Sequence, residues 1–142
     1  AQSGLTHDYF ASVLDSVKST AESRGYDLTF IISDRGGSRR MTYLEHSRYR
    51  GVDGVVIACV NFVEPEVVEL MQSSIPTVTI DYTFNKTIAV LSNNMEGMSA
   101  LTQYAVDMGH RRIAYLYGED SVVTSNRLSG FYITMKRNQT AR

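Results

Sequence analysis

The chain has 142 residues, 43% of them hydrophobic and 20% charged, which suits one ordinary globular domain with a real core rather than a linker or low-complexity segment. Its formal net charge of −1 is a poor match to a DNA-gripping surface, which needs clustered positive charge; Arg39-Arg40, Arg48 with Arg50, and Arg111-Arg112 are separated by acids. One cysteine, Cys59, excludes an internal disulfide and fits a reducing compartment, and no run approaches the roughly 18 apolar residues of a membrane span.

From Asp8 to Arg24, Phe10, Val13, Leu14, Val17 and Ala21 recur at helical spacing, with Thr6 or Asp8 as the cap and Gly25 beyond the end. Leu28 to Ile32 reads as a buried strand and Ser33 to Gly37 as a polar loop. Ser38 to Tyr49 reads as a second helix with Met41 and Leu44 inward. Val55 to Ala58 is a strand, and a third helix runs from Pro65, well placed in a first turn, to Ser73. Thr77 to Ile80 and Ile88 to Leu91 are strands. Asn94 can cap a helix from Met95 to Met108, Ile113 to Tyr117 is a further strand, and a last helix starts near Ser125 or Asn126 and runs toward Asn138.

Strands that are short continuous apolar runs, alternating with helices, predict an α/β fold: a doubly wound parallel sheet with helices on both faces. In such sheets ligands sit beyond the carboxyl ends of the strands. That rule selects Ser33-Asp34, Cys59 to Asn61, Asp81-Tyr82, Ser92-Asn93 and the residues from Gly118 onward. The alternation begins on a helix and ends on a helix, so we expect a piece of a larger chain.

Six motifs in order resemble the regulatory domain of the lactose-repressor/galactose-repressor family of bacterial transcription regulators. They are Asp8-Tyr9-Phe10, Arg50-Gly51-Val52-Asp53-Gly54-Val55-Val56-Ile57, Ile75-Pro76-Thr77-Val78-Thr79-Ile80-Asp81, Asn93-Asn94-Met95-Glu96-Gly97, Gly109-His110-Arg111-Arg112-Ile113-Ala114-Tyr115 and Arg127-Leu128-Ser129-Gly130-Phe131. The resemblance covers almost the whole chain. It implies that residues 1–142 form the first lobe of a two-lobed, periplasmic-binding-protein-like fold, without the first strand and most of the second lobe. It also implies a small effector, a sugar or nucleobase, held between the lobes. A helix-turn-helix domain outside this chain would read operator DNA, and the protein would be a cytoplasmic homodimer. Asn93 stands where the family most often has aspartate, and no helix-turn-helix pattern is present.

The candidate ligand-binding residues are Tyr9, Phe10, Asp81, Asn93 and Arg127. Asp81 follows an apolar strand at the ligand edge, and a carboxylate can accept hydrogen bonds from neighbouring sugar hydroxyls; the competing reading is a turn aspartate. Arg127, placed by this reading in the first turn of the last helix, opposes the helix dipole, so local physics gives no reason for it. Its rigid fork of donors suits hydroxyls or carboxylates, and the resemblance implies that it reaches the effector. Tyr9 and Phe10, about 100° apart on a helix, cannot both face one core stripe. One ring could stack on a sugar or base, with Phe10 the better core residue by its spacing to Val13 and Leu14. Asn93 follows a strand and can equally cap a helix. Asp34, Asn61 and Ser121 to Ser125 also fall near the expected cleft, and Cys59 reads as a small buried hydrophobe. Gly109-His110-Arg111-Arg112 precedes its strand, at the wrong edge for a ligand, and reads as the end of a helix whose negative pole favours cations.

The competing function is a solute-binding protein of a sugar transporter, which would share fold and pocket chemistry and differ in the upstream sequence. An enzyme or phosphorelay receiver is disfavoured. There is no Gly-x-Ser-x-Gly elbow, Gly-x-Gly-x-x-Gly loop or phosphate-binding Gly-Lys-Ser/Thr, and His7, His46 and His110 lack metal-ligand spacing. No cofactor is expected, and the piece by itself is expected to bind effector weakly or not at all.

Overall fold

A computed structural model describes residues 8–31, 41–85, 87–118 and 120–140. The elements in chain order are α1 (Asp8–Ser23), α2 (Tyr43–Arg50), β1 (Val55–Ile57), α3 (Pro65–Gln72), β2 (Thr77–Ile80), β3 (Ile88–Val90), α4 (Asn94–Asp107) and α5 (Val122–Thr140). The strands form one parallel sheet in the order β1-β2-β3. The chain divides into two compact units, Ala1–Val78 with Phe84–Ile88, and Thr79–Thr83 with Ala89–Arg142.

In the first unit the apolar stripe of α1 is its less exposed face: Phe10, Val13, Leu14, Val17 and Ala21 are half-buried and Tyr9 is exposed. Helix α2 opens with a capping box. Thr42 Oγ1 accepts the Glu45 N–H at 3.2 Å while the Thr42 N–H donates to Glu45 Oε2 at 2.9 Å, so two orphan amides of the first turn are satisfied reciprocally. Helix α2 packs on α3, burying Leu44 and Ser47 on one side and Val67, Leu70 and Met71 on the other. Pro65 occupies the first turn of α3, where a missing N–H costs nothing. The Val55 N–H donates to the Pro76 carbonyl at 2.9 Å, and Gly54 lies so near that carbonyl that a Cβ there would stand 3.3 Å from its oxygen.

In the second unit, the Asp81 N–H donates to the Val90 carbonyl at 2.9 Å and continues the pairing of β2 and β3 one residue past the strand. Helix α4 packs along α5 through small and polar residues: Ser99 Oγ donates to the Gly130 carbonyl at 3.3 Å, and Asn138 Nδ2 donates to Gln103 Oε1 at 2.8 Å. Thr102, Val106, Phe131 and Thr134 are buried there. Helix α4 ends in a Schellman turn. The His110 N–H reaches the Ala105 carbonyl at 3.1 Å, the Gly109 N–H reaches Val106 at 2.9 Å, and Gly109 takes a left-handed φ of 93°. Arg111 Nη1 donates to the Val106 carbonyl at 2.8 Å, so this cation serves the carbonyl end of α4.

Several expectations are corrected. Residues 28–31 and 113–117 are not strands, because neither run is paired in the three-stranded sheet and a segment without a hydrogen-bond ladder is not a strand. Their apolar side chains are correspondingly open, with Phe30 57% and Leu116 92% exposed. Helix α5 begins at Val122 rather than near Ser125, because Ser121 Oγ accepts the Thr124 N–H at 3.1 Å and caps it. The cap of α4 is Asn93, one residue before the Asn94 expected. Met41 is exposed, lying before the Thr42 cap instead of on the inner face of α2. Cys59 is exposed as well: it sits in a left-handed turn (φ 58°) past the end of β1, outside the strand that would bury it. Thr6, Ile32, the Ser33 to Gly37 loop with Ser33-Asp34, Ser38, Arg39-Arg40 and His7 lie outside the described residues. Among the described residues no helix is long and apolar enough to cross a membrane.

Candidate functional site

Asp81 stands one residue beyond β2, and its backbone has the left-handed φ of 60°, which aspartate adopts more readily than most residues because its short polar side chain bonds locally. The turn that carries it is held from below. Thr79 is fully buried, and its hydroxyl donates to the Tyr82 carbonyl at 2.6 Å, closing the chain around Asp81. The carboxylate receives the Ser92 N–H on Oδ1 at a long 3.4 Å. The local requirement therefore explains a small polar residue at this turn, and the carboxylate keeps acceptor capacity for a ligand.

Asn93 and Asn94 divide the work at the start of α4. Asn93 Oδ1 accepts the Glu96 N–H at 3.3 Å, capping the helix, and its Nδ2 donates to Glu96 Oε2. Asn94 is half-buried; its Nδ2 donates to the Ser92 carbonyl at 3.1 Å and its Oδ1 receives Arg127 Nε at 2.8 Å. Arg127 lies in the second turn of α5, a correction that follows from the earlier start of that helix. Among the described residues its two Nη groups make no hydrogen bond, so that side of the guanidinium retains its donors.

Asp81, Ser92 and Asn94 line a cavity of about 90 Å³ together with Thr83, Leu91, Val122, Val123 and Asn126. Its wall is half apolar (Leu91, Val122, Val123) and half acceptor and donor, a combination that suits a ligand with an apolar face and a hydroxylated edge. The volume is well below the roughly 300 Å³ at which small-molecule pockets usually begin, so this cavity can take only part of such a ligand.

Of the five residues expected from sequence, Asp81 lines the cavity, Arg127 is bonded to its wall through Asn94, and Asn93 caps the helix that carries Asn94. Tyr9 and Phe10 belong to the first unit, where their rings meet edge to face with centroids 5.3 Å apart. Asn61 closes a turn, its Oδ1 accepting the Val63 N–H at 3.3 Å, and Ser121 is spent as the α5 cap. Sequence reasoning missed Thr79, Asn94 and Asn126. The signal for Asn94 was available: of two consecutive asparagines only one can be the cap, which leaves the other side chain for a different task. Among the described residues no group of three or more His, Cys, Asp or Glu side chains could hold a metal ion.

The profile of the periplasmic binding proteins and sugar-binding domain of the LacI family matches residues 2–138. The chain belongs to this family. LacI-family relatives include the HTH-type transcriptional repressor PurR of Vibrio vulnificus, 30% identical over 92% of this chain and 40% of its own length. The ribose operon repressor of Escherichia coli is 29% identical over 93% of this chain and 41% of its own. The chain thus spans about two fifths of the curated relatives it matches. Two crystal structures share the LacI-family fold. One, from Burkholderia thailandensis, is assigned to a ribose operon repressor (TM-score 0.79, 24% identity, 95% of this chain and 53% of that one). The other is the transcription regulator GntR of Chromobacterium violaceum (TM-score 0.72, 20% identity, 93% and 49%). The curated relatives are repressors by name, not enzymes.

Proposed function

We propose that this chain is part of the effector-sensing domain of a bacterial transcription regulator, and that Asp81 and Arg127 bind a small hydroxylated effector, a sugar or nucleoside-like molecule. The observation that carries this reading is the meeting of three motifs at one cavity. The residue after β2 and the residues after β3 line it, and the arginine of α5 is bonded to its wall through Asn94, although Arg127 stands 46 positions after Asp81. Asp81 accepts hydroxyls, Arg127 donates, and Leu91, Val122 and Val123 cover the apolar face of the ligand. Asn93, which caps the helix that carries Asn94, and, in the first unit by themselves, Tyr9 and Phe10 are further proposed ligand contacts.

In the whole protein the effector lies between two lobes, and its binding shifts their relative population of states. In a cytoplasmic homodimer that shift alters the spacing of two helix-turn-helix readers on operator DNA, a coupling on the order of 1–3 kcal/mol per effector. Catalysis has no part in this role. The repressor names of the curated relatives favour it over the transporter-feeding alternative.

The test is calorimetric titration of the full-length protein with a panel of pentoses, hexoses and nucleosides, followed by operator binding with and without the ligand that binds. A saturable ligand whose affinity falls in Asp81→Asn and Arg127→Ala supports the site. Unchanged affinity in both variants overturns it.

A further inference from the structure

The contact between Asn94 and Arg127 deepens this reading and rests on it. Arg127 is exposed, and an exposed arginine ordinarily samples many rotamers, losing most of its rotamer entropy only when it binds something. Here its Nε is held at 2.8 Å by Asn94 Oδ1. The amide of Asn94 is itself fixed at both ends: Oδ1 takes the guanidinium, and Nδ2 is tied at 3.1 Å to the carbonyl of Ser92. Ser92 in turn donates its N–H to Asp81. A continuous path of hydrogen bonds therefore runs from the carboxylate of Asp81 through Ser92 and Asn94 to Arg127, with Asp81, Ser92 and Asn94 all lining the cavity. The acceptor on Arg127 is neutral, so the guanidinium is oriented without being neutralised. Among the described residues it forms no ion pair, and its charge stays available to the ligand.

We infer that Asn94 is a positioning residue, which holds Arg127 in its ligand-ready orientation and thereby sets the register between the arginine donors and the Asp81 acceptor. The entropy of ordering the arginine is then spent on folding and not on effector binding, which raises affinity by preorganisation. A plain helix-start asparagine would have no such effect, since the capping of α4 belongs to Asn93.

The test uses the full-length protein and three variants: Asn94→Leu, which removes the acceptor at similar size, Asn94→Asp, which keeps it, and Arg127→Ala. In arginine-detected nitrogen NMR, the Nε–H resonance absent from Arg127→Ala exchanges with water slowly in the wild type and in Asn94→Asp. It exchanges about tenfold faster in Asn94→Leu, as expected when a charge-assisted hydrogen bond is lost. Equal exchange in wild type and Asn94→Leu overturns the assignment, whatever the ligand. D-ribose is the binding probe. Asn94→Leu weakens its binding about tenfold at unchanged Tm, and the double variant with Arg127→Ala is no weaker than Arg127→Ala alone. Additive losses would show that Asn94 acts independently of Arg127 and would sink the inference. Undiminished D-ribose binding in Arg127→Ala would instead sink the reading of the site. A wild type that does not bind D-ribose counts against a ribose-like effector and leaves the exchange measurement to decide Asn94.

Discussion

Ser99 Oγ donates to the backbone carbonyl of Gly130 at 3.3 Å, and a Cβ placed on Gly130 would collide with the backbone carbonyl of Met95. Helices α4 and α5 can approach this closely only because residue 130 has no side chain. The glycine in the Arg127-to-Phe131 motif is therefore explained by packing. It also holds α5, and with it Arg127, against the start of α4.

Gly130→Ala is expected to destabilise the protein by roughly 1–3 kcal/mol, since backbone atoms must move to admit the methyl group. Denaturant unfolding of the full-length variant measures this. Effector affinity should fall with it, because Arg127 and Asn94 are separated when the helices are forced apart. Stability within about 0.5 kcal/mol of wild type would show that the helix contact adapts, the size expected for a surface change without a packing role.

Thr79→Val leaves the Tyr82 carbonyl without its buried donor and releases the turn around Asp81. The expected cost is about 1–3 kcal/mol, with effector Kd raised further than in a control such as Thr42→Ala, which removes only the α2 cap. Comparing Tm and Kd for the two variants separates general loss of stability from loss of site geometry.

Replacing Gly109 by alanine places a Cβ at a left-handed φ of 93° and should destabilise by about 1 kcal/mol. Effector affinity should stay at the wild-type value, because Gly109 serves the end of α4 and not the cavity. A selective loss of affinity at normal stability would instead make the Gly109-to-Arg112 segment part of a working site.

The 142-residue chain by itself should bind D-ribose at least about a hundredfold more weakly than the full-length protein. The contrast follows from a cavity smaller than a usual ligand pocket. It should also bind a hydrophobic dye, because Phe30, Ile88, Leu116 and Tyr117 are exposed. Micromolar D-ribose binding by this chain in calorimetry would contradict the first expectation, and absence of dye binding the second.

The sequence by itself determined what depends on neighbours along the chain. The 3.6-residue stripe of α1, Pro65 at the head of α3, the apolar runs of β1, β2 and β3, and the glycine and arginine that end α4 are local preferences, and all were legible. So was Asp81 as a strand-end residue, because its place follows from where an apolar run stops. Tertiary structure decided what depends on partners far away in sequence. Residues 28–31 and 113–117 have the composition of strands, but a strand exists only when a second one supplies its hydrogen bonds. Asn93 and Asn94 carry identical side chains. Asn93 caps α4 through a contact three residues away, but only Arg127 on α5, 33 residues after Asn94, gives the second asparagine its task.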